Sequence, residues 1–122
     1  MSSSPLAIDA LQMVSALQSR FARGLESVAS EHGENGSFVS TEWLRDSGRH
    51  GGGNRLSPYE SEFFNRASVN VSQIHYEDLP EKKLGSATAI STIIHPSNPH
   101  SPSVHIHISW TEMKKSAGYW RI

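Results

Sequence analysis

Near the N-terminus, apolar residues recur every three or four positions. Ser4 followed by Pro5 is a favourable helix start, because a hydroxyl can cap the first turn and proline fits the first helical position. At the other end, His32 precedes a glycine suited to a left-handed cap. The pattern predicts one amphipathic helix over residues 5–32, which packs on a sheet or, alternatively, offers a surface to a partner. Its apolar stripe consists of Ala10, Val14, Leu17, Phe21, Leu25 and Val28.

Beyond residue 37 the apolar period shortens to two, which is typical of strands. One helix followed by strands predicts the α+β class with an antiparallel sheet, in a single partial domain spanning residues 1–122. We predict strands at residues 38–44, 63–76, 86–94, 103–110 and from 119 onward. The predicted connections are a turn at 34–37, a loop at 46–58, a charged connector at 77–83, a Pro-rich turn at 95–102 and a polar turn at 114–118.

Composition narrows the possible functions. A net charge of −1 and a pI of about 6.6 give no basic excess that would attract nucleic acid or anionic lipid. The chain has no cysteine, which excludes disulfides and thiolate metal sites. No apolar run approaches the roughly 20 residues of a membrane span, and the N-terminus lacks a secretory pattern. We therefore expect a cytoplasmic protein with no membrane span and no nucleic-acid partner.

Seven histidines are the most unusual compositional feature, and four of them lie in one uncharged stretch. Residues 86–110 contain no Asp, Glu, Lys or Arg. We expect such a segment to be buried on both faces of the sheet. Acid–base or ligand chemistry in this stretch must therefore use imidazole, which titrates near neutral pH. The four histidines are His95, His100, His105 and His107.

Strand geometry sorts these side chains by face, because successive residues point to opposite sides. His105, His107 and Ser109 share one face of their strand, and Ser91 and His95 share one face of the preceding strand. An even register in a hairpin brings His95 near His105. Within one strand, His105 and His107 lie about 6.6 Å apart, a spacing that suits two ligands of one metal, or a base and its hydrogen-bond partner. The alternative is a pair that fills a polar gap in the sheet.

The remaining candidates carry less chemistry. We expect His100 to be a solvated turn residue, and we expect His32, His50 and His75 not to be metal ligands. The glycine triplet that starts at Gly51 lacks the Gly-Lys-Ser/Thr ending of a phosphate-binding loop. A small β protein using His-x-His and His95 as a metal-site enzyme is a further hypothesis, although no carboxylate ligand lies nearby.

Three motifs in order along the chain resemble oxygen-dependent coproporphyrinogen III oxidase. The stretch Ser91-Thr-Ile-Ile-His95-Pro-Ser-Asn-Pro-His-Ser-Pro-Ser-Val-His105 is similar to the family's Ser-x-x-x-His-Pro-x-Asn-Pro-x-x-Pro-x-x-His signature. The second motif, beginning at Phe64 and reading Phe-Asn-Arg-Ala-Ser-Val-Asn-Val-Ser, resembles its Phe-Glu-x-Ala-Gly-Val-Asn-x-Ser. The third is Trp43-Leu-Arg followed by the glycine triplet, like its Trp-x-Arg and Gly-rich run.

The resemblance implies an antiparallel sheet flanked by helices, in a homodimer. It also implies oxidative decarboxylation of coproporphyrinogen III propionates to vinyls in haem biosynthesis, with O2 as co-substrate and no organic cofactor. His105 matches the position of a proton donor or base, and Ser91 matches a substrate-contacting serine. His95 and His105 match positions that bind a divalent metal in some members. His107 and Ser109 occupy neighbouring substrate-binding places.

The chain also departs from the family pattern. The family follows its second histidine with Asn-x-Arg, whereas this chain has His107 and Ser109, so it lacks a natural clamp for a propionate. The family's Trp-Trp-Phe-Gly-Gly-Gly strand corresponds to Tyr119-Trp-Arg-Ile. Family chains are about twice this length or more, so we expect an N-terminal half or a truncated, divergent member that is inactive alone. The alternative is a non-catalytic module that binds a tetrapyrrole or a metal.

Overall fold

The computed structural model describes residues 1–34 and 37–122, so the predicted turn at 34–37 lies partly outside the described residues. Over these ranges the chain forms one α-helix and six strands, which pair in chain order into one antiparallel sheet. The α+β class with an antiparallel sheet is confirmed. The elements are α1 (Pro5–Glu31), β1 (Phe38–Leu44), β2 (Gly51–Pro58), β3 (Phe64–His75), β4 (Leu84–Pro96), β5 (Val104–Met113) and β6 (Tyr119–Arg121), with a short 3₁₀ turn at Asp46–Gly48.

Helix α1 begins and ends close to its predicted limits. The Ser4 hydroxyl accepts a hydrogen bond from the Ala7 N–H at 3.4 Å, and the chain leaves the helix at Gly33 with φ of 76°. The apolar stripe is confirmed for its first five members, which are buried or partly buried. The last member, Val28, was predicted wrongly, because it is exposed and the next residue, Ala29, is buried in its place.

The hydrophobic core lies between α1 and the two central strands, β3 and β4. Val14 packs against Val69, Val71 and Ile90, and burying each such side chain contributes about 1.5–3 kcal/mol. A second cluster near the end of the helix contains Ala29, Phe64, Ala67 and Ile94. Because both clusters lie on one side of the sheet, α1 covers that side only.

Two buried glutamines fix the position of α1 on the sheet. Gln18 Nε2 donates to the Val69 carbonyl at 2.9 Å, and Gln73 Nε2 donates to the Ala7 carbonyl at 3.0 Å. A buried amide is costly unless it is hydrogen-bonded, so these contacts discriminate against a helix shifted along the strands. The predicted apolar stripe did not include Gln18, because a polar residue is expected on the solvent-exposed side of a helix.

The predicted loop at 46–58 was wrong for most of its length, because residues Gly51–Pro58 form β2. Glycine weakens strand propensity, but β1 and β3 supply hydrogen-bonding partners on both sides. Glycine is also required at Gly53, where an added Cβ would lie 2.6 Å from Trp43 Nε1 and 2.5 Å from the Val71 carbonyl oxygen. The Trp43 side chain therefore lies across β2 where β2 has no side chain.

The two faces of the sheet differ. The face opposite α1, here called the open face, is not covered by any part of residues 1–34 and 37–122. The resemblance implied a sheet flanked by helices, and the described residues contain one α-helix, on one side of the sheet. Burial of residues 86–110 on both faces was also a wrong expectation, since Ile93 is 37% exposed and His105 and His107 are exposed. Within the described ranges, no helix is both long and apolar enough to cross a membrane.

Candidate functional site

The β4–β5 hairpin brings the histidine motif together. The turn at residues 97–103 contains two prolines, which cannot donate to a strand ladder. Across the hairpin, Ser91 faces His107, and His95 lies beside His105. The predicted even register is confirmed, and all four side chains lie on the open face.

His95 and His105 form a direct imidazole pair. Their Nε2 atoms are 2.7 Å apart, and the two rings lie nearly parallel with centroids 5.0 Å apart. At this distance one Nε2 must donate a hydrogen and the other must accept it. The pair therefore holds one hydrogen between its members, and a proton gained by either ring can be shared with the other.

Ser91 and His107 form a second pair one cross-strand position away. The Ser91 Oγ and His107 Nδ1 atoms are 2.7 Å apart, a normal distance for a serine–imidazole hydrogen bond. The contact fixes the orientation of the exposed His107 ring and leaves its Nε2 without a partner among the described residues. That Nε2 can therefore donate to or accept from a ligand on the open face.

Residues from all three motifs meet on the open face. Asn70, from the second motif, is the cross-strand partner of Ser91. The Trp43 indole, from the third motif, donates from Nε1 to Asn70 Oδ1 at 3.2 Å. This contact spans β2 because Gly53 leaves room for the indole ring. The glycine-rich stretch thus serves side-chain packing at the site.

The strand positions of the open face carry positive charge only. In the registers of the six strands, no Asp or Glu falls on this face, whereas three arginines do. None of the three forms an ion pair with a carboxylate among the described residues. Ser109 also faces this side, but it is only 8% exposed. The face is therefore complementary to an anion such as a carboxylate. The arginines are Arg55, Arg66 and Arg121.

A second cluster of ionisable groups lies at the far end of the sheet. The His50 ring is 5% exposed, with Nδ1 2.6 Å from Asp46 Oδ2 and Nε2 3.1 Å from Asp78 Oδ1. A neutral imidazole has one N–H, so only the protonated ring donates to both carboxylates. Arg49 Nε also contacts Asp78, at 3.0 Å. Sequence analysis missed this cluster because Asp78 is distant from His50 along the chain.

Burial and charge shift the pKa values in this second cluster. Burial lowers the pKa of His75, whose Nε2 is buried without a hydrogen-bond partner among the described residues. Burial raises the pKa of Asp78, but the hydrogen bond and the charge of Arg49 outweigh it, so the pKa lies below its ordinary value. The two other histidines, His32 and His100, are exposed, as was expected for His100.

Comparison with known proteins decides the family. Residues 9–121 match the protein family described as Coproporphyrinogen III oxidase. The chain belongs to the coproporphyrinogen III oxidase family. The resemblance inferred from the three motifs is thus confirmed, and the motif residues that converge on the open face are those of an oxidase family member.

The relatives are proteins named oxygen-dependent coproporphyrinogen-III oxidase. The chain is 32% identical over 106 residues to that of Prochlorococcus marinus (strain AS9601), covering 79% of this chain and 29% of the relative. It is 34% identical over 110 residues to that of Synechococcus sp. (strain CC9605), covering 82% and 29%. For Prochlorococcus marinus (strain NATL1A), identity is 30% over 113 residues, covering 84% and 31%. The chain therefore spans less than a third of the length of these relatives.

The Nε2 atoms of His95 and His105 are too close together to share the predicted metal ion. A tetrahedral metal ion binds imidazole nitrogens at about 2.0–2.1 Å, so two such nitrogens lie about 3.3 Å from each other. The Nε2 atoms of His95 and His105 are only 2.7 Å apart and are hydrogen-bonded to each other. Over residues 1–34 and 37–122, no three His, Asp or Glu side chains are placed to hold an ion. The pair as it stands does not fit a metal site, and the hypothesis of a His-x-His metal enzyme has no third ligand in the described residues.

Proposed function

We propose that the protein acts in the oxidative decarboxylation of coproporphyrinogen III propionates to vinyl groups, with O2 as the oxidant, as a step of haem biosynthesis. The observation that carries this proposal is the meeting of the three family motifs on one face that carries arginines and no carboxylate. In each decarboxylation, a propionate side chain loses its carboxyl carbon as CO2, and its two remaining carbons become a vinyl group. The two electrons released pass to O2, which takes up two protons and leaves as hydrogen peroxide.

In this proposal His105 is the base or proton donor. Deprotonating a pyrrole N–H or a carbon next to the ring requires a base that works near neutral pH, and imidazole meets that requirement. His95 assists because it accepts or donates the hydrogen that the pair shares. His105 is exposed on the open face, so a substrate lying on the sheet has access to it.

Ser91, His107 and Ser109 are proposed to contact the substrate. Ser91 and His107 hold each other in place and present one hydroxyl and one ring nitrogen to a bound ligand. Arg66, the cross-strand partner of His95, adds a positive charge beside the imidazole pair. Charged hydrogen bonds of this kind suit propionate carboxylates.

Oligomeric state, cellular location and cofactors complete the proposed function. We infer a homodimer, as the resemblance implies, and a cytoplasmic location, as the sequence pattern led us to expect. No organic cofactor is invoked, and a divalent metal at His95 and His105 remains a prediction that requires the pair to open.

Because residues 1–122 are expected to be inactive alone, the direct test is conversion of coproporphyrinogen to protoporphyrinogen in air by a longer protein that contains them, read as protoporphyrin fluorescence after chemical oxidation. Turnover that requires both protein and O2 is the expected result. Matched reactions without O2 and with His105→Ala are the controls. Turnover that continues at the same rate without O2 would contradict the proposal.

A second candidate is a non-catalytic tetrapyrrole-binding module. It is favoured by His107 and Ser109, which stand where the family has Asn and Arg. The variant His107→Asn separates the two functions, because it restores the family residue and its amide can still bond to Ser91. In an oxidase this variant retains turnover within about threefold, since the hydrogen bond is conserved. Tight binding of the tetrapyrrole with no turnover, in both His107→Asn and wild type, would favour the binding module.

A further inference from the structure

A row of small residues crosses the open face beside the histidines. Each member is the direct cross-strand partner of the next, from β2 to β5. Trp43 on β1 stands at one end of the row, and Arg121 on β6 stands at the other. Because Trp43 reaches over β2 to Asn70, the uncovered part extends from β3 to β6, about 14 Å at the usual strand spacing. The small residues are Gly53, Ser72, Ala89 and Ser109.

Arg121 is exposed and is not engaged by any acidic group. Over residues 1–34 and 37–122 its guanidinium forms no hydrogen bond or ion pair, and its one recorded contact is with the ring of Tyr119, 5.7 Å away. Tyr119 lies on the same face, so the aromatic ring holds the guanidinium over the sheet. The open face lacks carboxylates at its strand positions, so nothing there neutralises this charge.

Two further donors lie next to Arg121. Ser109 is its direct cross-strand partner. His107 is the diagonal neighbour on the same face, a separation of about 7–8 Å that long side chains can bridge. Because Ser91 occupies His107 Nδ1, the other ring nitrogen is open to a ligand. A guanidinium, a hydroxyl and an imidazole therefore surround one point at the β6 end of the row.

We propose that Arg121 is a specificity-determining residue that binds one propionate carboxylate of the tetrapyrrole, with Ser109 and His107 as auxiliary donors. The resemblance places an arginine at Ser109 and an apolar aromatic residue at Arg121. This chain instead carries a guanidinium on the opposite strand of the β5–β6 pair, on the same face. This inference rests on the proposed function, because it names the group of that substrate which Arg121 holds.

A structural role offers a competing explanation for Arg121. Charged residues on edge strands discourage pairing with other sheets, and β6 is an edge strand. Such a role requires a charge at the edge but no ligand. If Arg121 had only this role, its loss would change the binding of ligands with and without carboxylates to the same extent.

The test compares two ligands by fluorescence titration of the purified protein. Coproporphyrin is the stable oxidised form of the substrate and carries four carboxylates, and its tetramethyl ester carries none. Arg121→Gln is expected to weaken coproporphyrin binding about 10- to 100-fold and to leave ester binding unchanged, because only a charged hydrogen bond is lost. The coproporphyrin affinity of Arg121→Lys is expected to lie between those of wild type and Arg121→Gln, since lysine keeps the charge but lacks the bidentate geometry. Lys115→Gln, which removes the same charge from the turn before β6, is the matched control and is expected to bind both ligands like wild type.

A charge-relocation variant makes the test specific for position. Ser109→Arg combined with Arg121→Gln returns the guanidinium to β5 and is expected to recover coproporphyrin binding to within about threefold of wild type. Equal affinities of wild type and Arg121→Gln for coproporphyrin would overturn the inference, even if wild type turns the substrate over. Arg121-dependent binding without any turnover by wild type would instead support the inference and contradict the oxidase function.

Discussion

At the scale of single residues, pairing decides what each imidazole can do. His95 and His105 are bonded through Nε2 atoms, so in the neutral pair the two rings must be opposite tautomers. In the proposed reaction, a proton taken up by His105 would thus have an acceptor in place. His107 differs, because Ser91 takes its Nδ1 and no second imidazole contacts it. His105 is therefore the better candidate for proton transfer, and His107 for ligand contact.

Replacing His105 with alanine is expected to lower the turnover of coproporphyrinogen by about 100-fold or more, which is the usual contribution of a general acid or base. The sheet should remain folded, because His105 is exposed and its truncation costs little stability. Steady-state turnover in air and a thermal melt by circular dichroism measure the two effects. His100→Ala, in the exposed turn of the same hairpin, is the matched control and should retain activity. Full activity in His105→Ala would remove this residue from the mechanism.

The sequence predicted which candidate side chains share one face, because period-two alternation assigns faces without knowledge of the fold. Ser91, His95 and His105 follow from parity once a hairpin is assumed. Arg121 could not be found in this way, since its opposition to Ser109 depends on the length and geometry of the turn before β6. The contact between His50 and Asp78 likewise joins residues 28 positions apart in sequence.

At the scale of elements, β2 shows how tertiary context overrides local propensity. Its three glycines favour a loop, yet the strand forms because both of its neighbours pair with it. The sequence pattern that predicts the other strands is absent in this segment, so the prediction failed here. In return, the missing side chain at Gly53 lets Trp43 contact Asn70 and links the outer strands to the site.

Gly53→Ala is expected to destabilise the protein by about 1–3 kcal/mol, because the added Cβ overlaps both the Trp43 ring and a backbone oxygen. Tryptophan fluorescence should change as the indole is displaced. The matched control is Gly24→Ala on the exposed side of α1, where nothing lies within 4 Å of the added Cβ. That variant should gain about 0.5–1 kcal/mol, since alanine favours the helix. Urea denaturation measures both, and equal stabilities of the two variants would contradict the role assigned to Gly53.

The end of β3 is expected to make stability depend on pH. Burial is the main cause that lowers the pKa of His75, and the positive charges of the N-terminal amine and His50 add to it, whereas Glu77 and Asp78 act in the opposite direction. The unfolded chain therefore binds a proton at a higher pH than the folded chain does. Stability from this group is present above the unfolded pKa of about 6.5 and is lost as the pH falls below it.

Replacing His75 with glutamine tests this dependence. From about pH 7.5 to about pH 5, the free energy of unfolding should fall less in His75→Gln than in wild type, because the variant lacks the group that takes up a proton on unfolding. Glu77 and Asp78 have lowered pKa values and stay ionised in this window, so they do not obscure the comparison. Denaturation at several pH values measures the difference. Parallel pH profiles of the two proteins would show that His75 does not contribute.

At the scale of the whole molecule, α1 protects only the middle of its side of the sheet. Val14 is fully buried over β3 and β4, but β5 and β6 extend beyond the helix. A hollow of about 150 Å³ lies there between α1 and the tryptophans of these strands. On this side of the sheet, Leu6 and Trp120 at the hollow and two side chains further along β5 are each 39% to 58% exposed, and the four are here called the apolar strip. The members of the strip are Leu6, Val104, Ile106 and Trp120.

Exposed apolar strips beside an edge strand promote association, and β6 is an edge of this sheet. We therefore expect the 122-residue chain to self-associate at high micromolar concentration in sedimentation velocity experiments. Ile106→Thr should weaken the association about tenfold, because it removes apolar area from the strip. Ile8→Thr is the matched control, since Ile8 is 41% exposed and Ile106 is 39% exposed, but Ile8 does not belong to the strip. A monodisperse monomer with a cooperative melt would show that the exposed strip does not cause association of the isolated chain. An equal effect of both variants would mean that apolar exposure in general, and not the strip, drives the association.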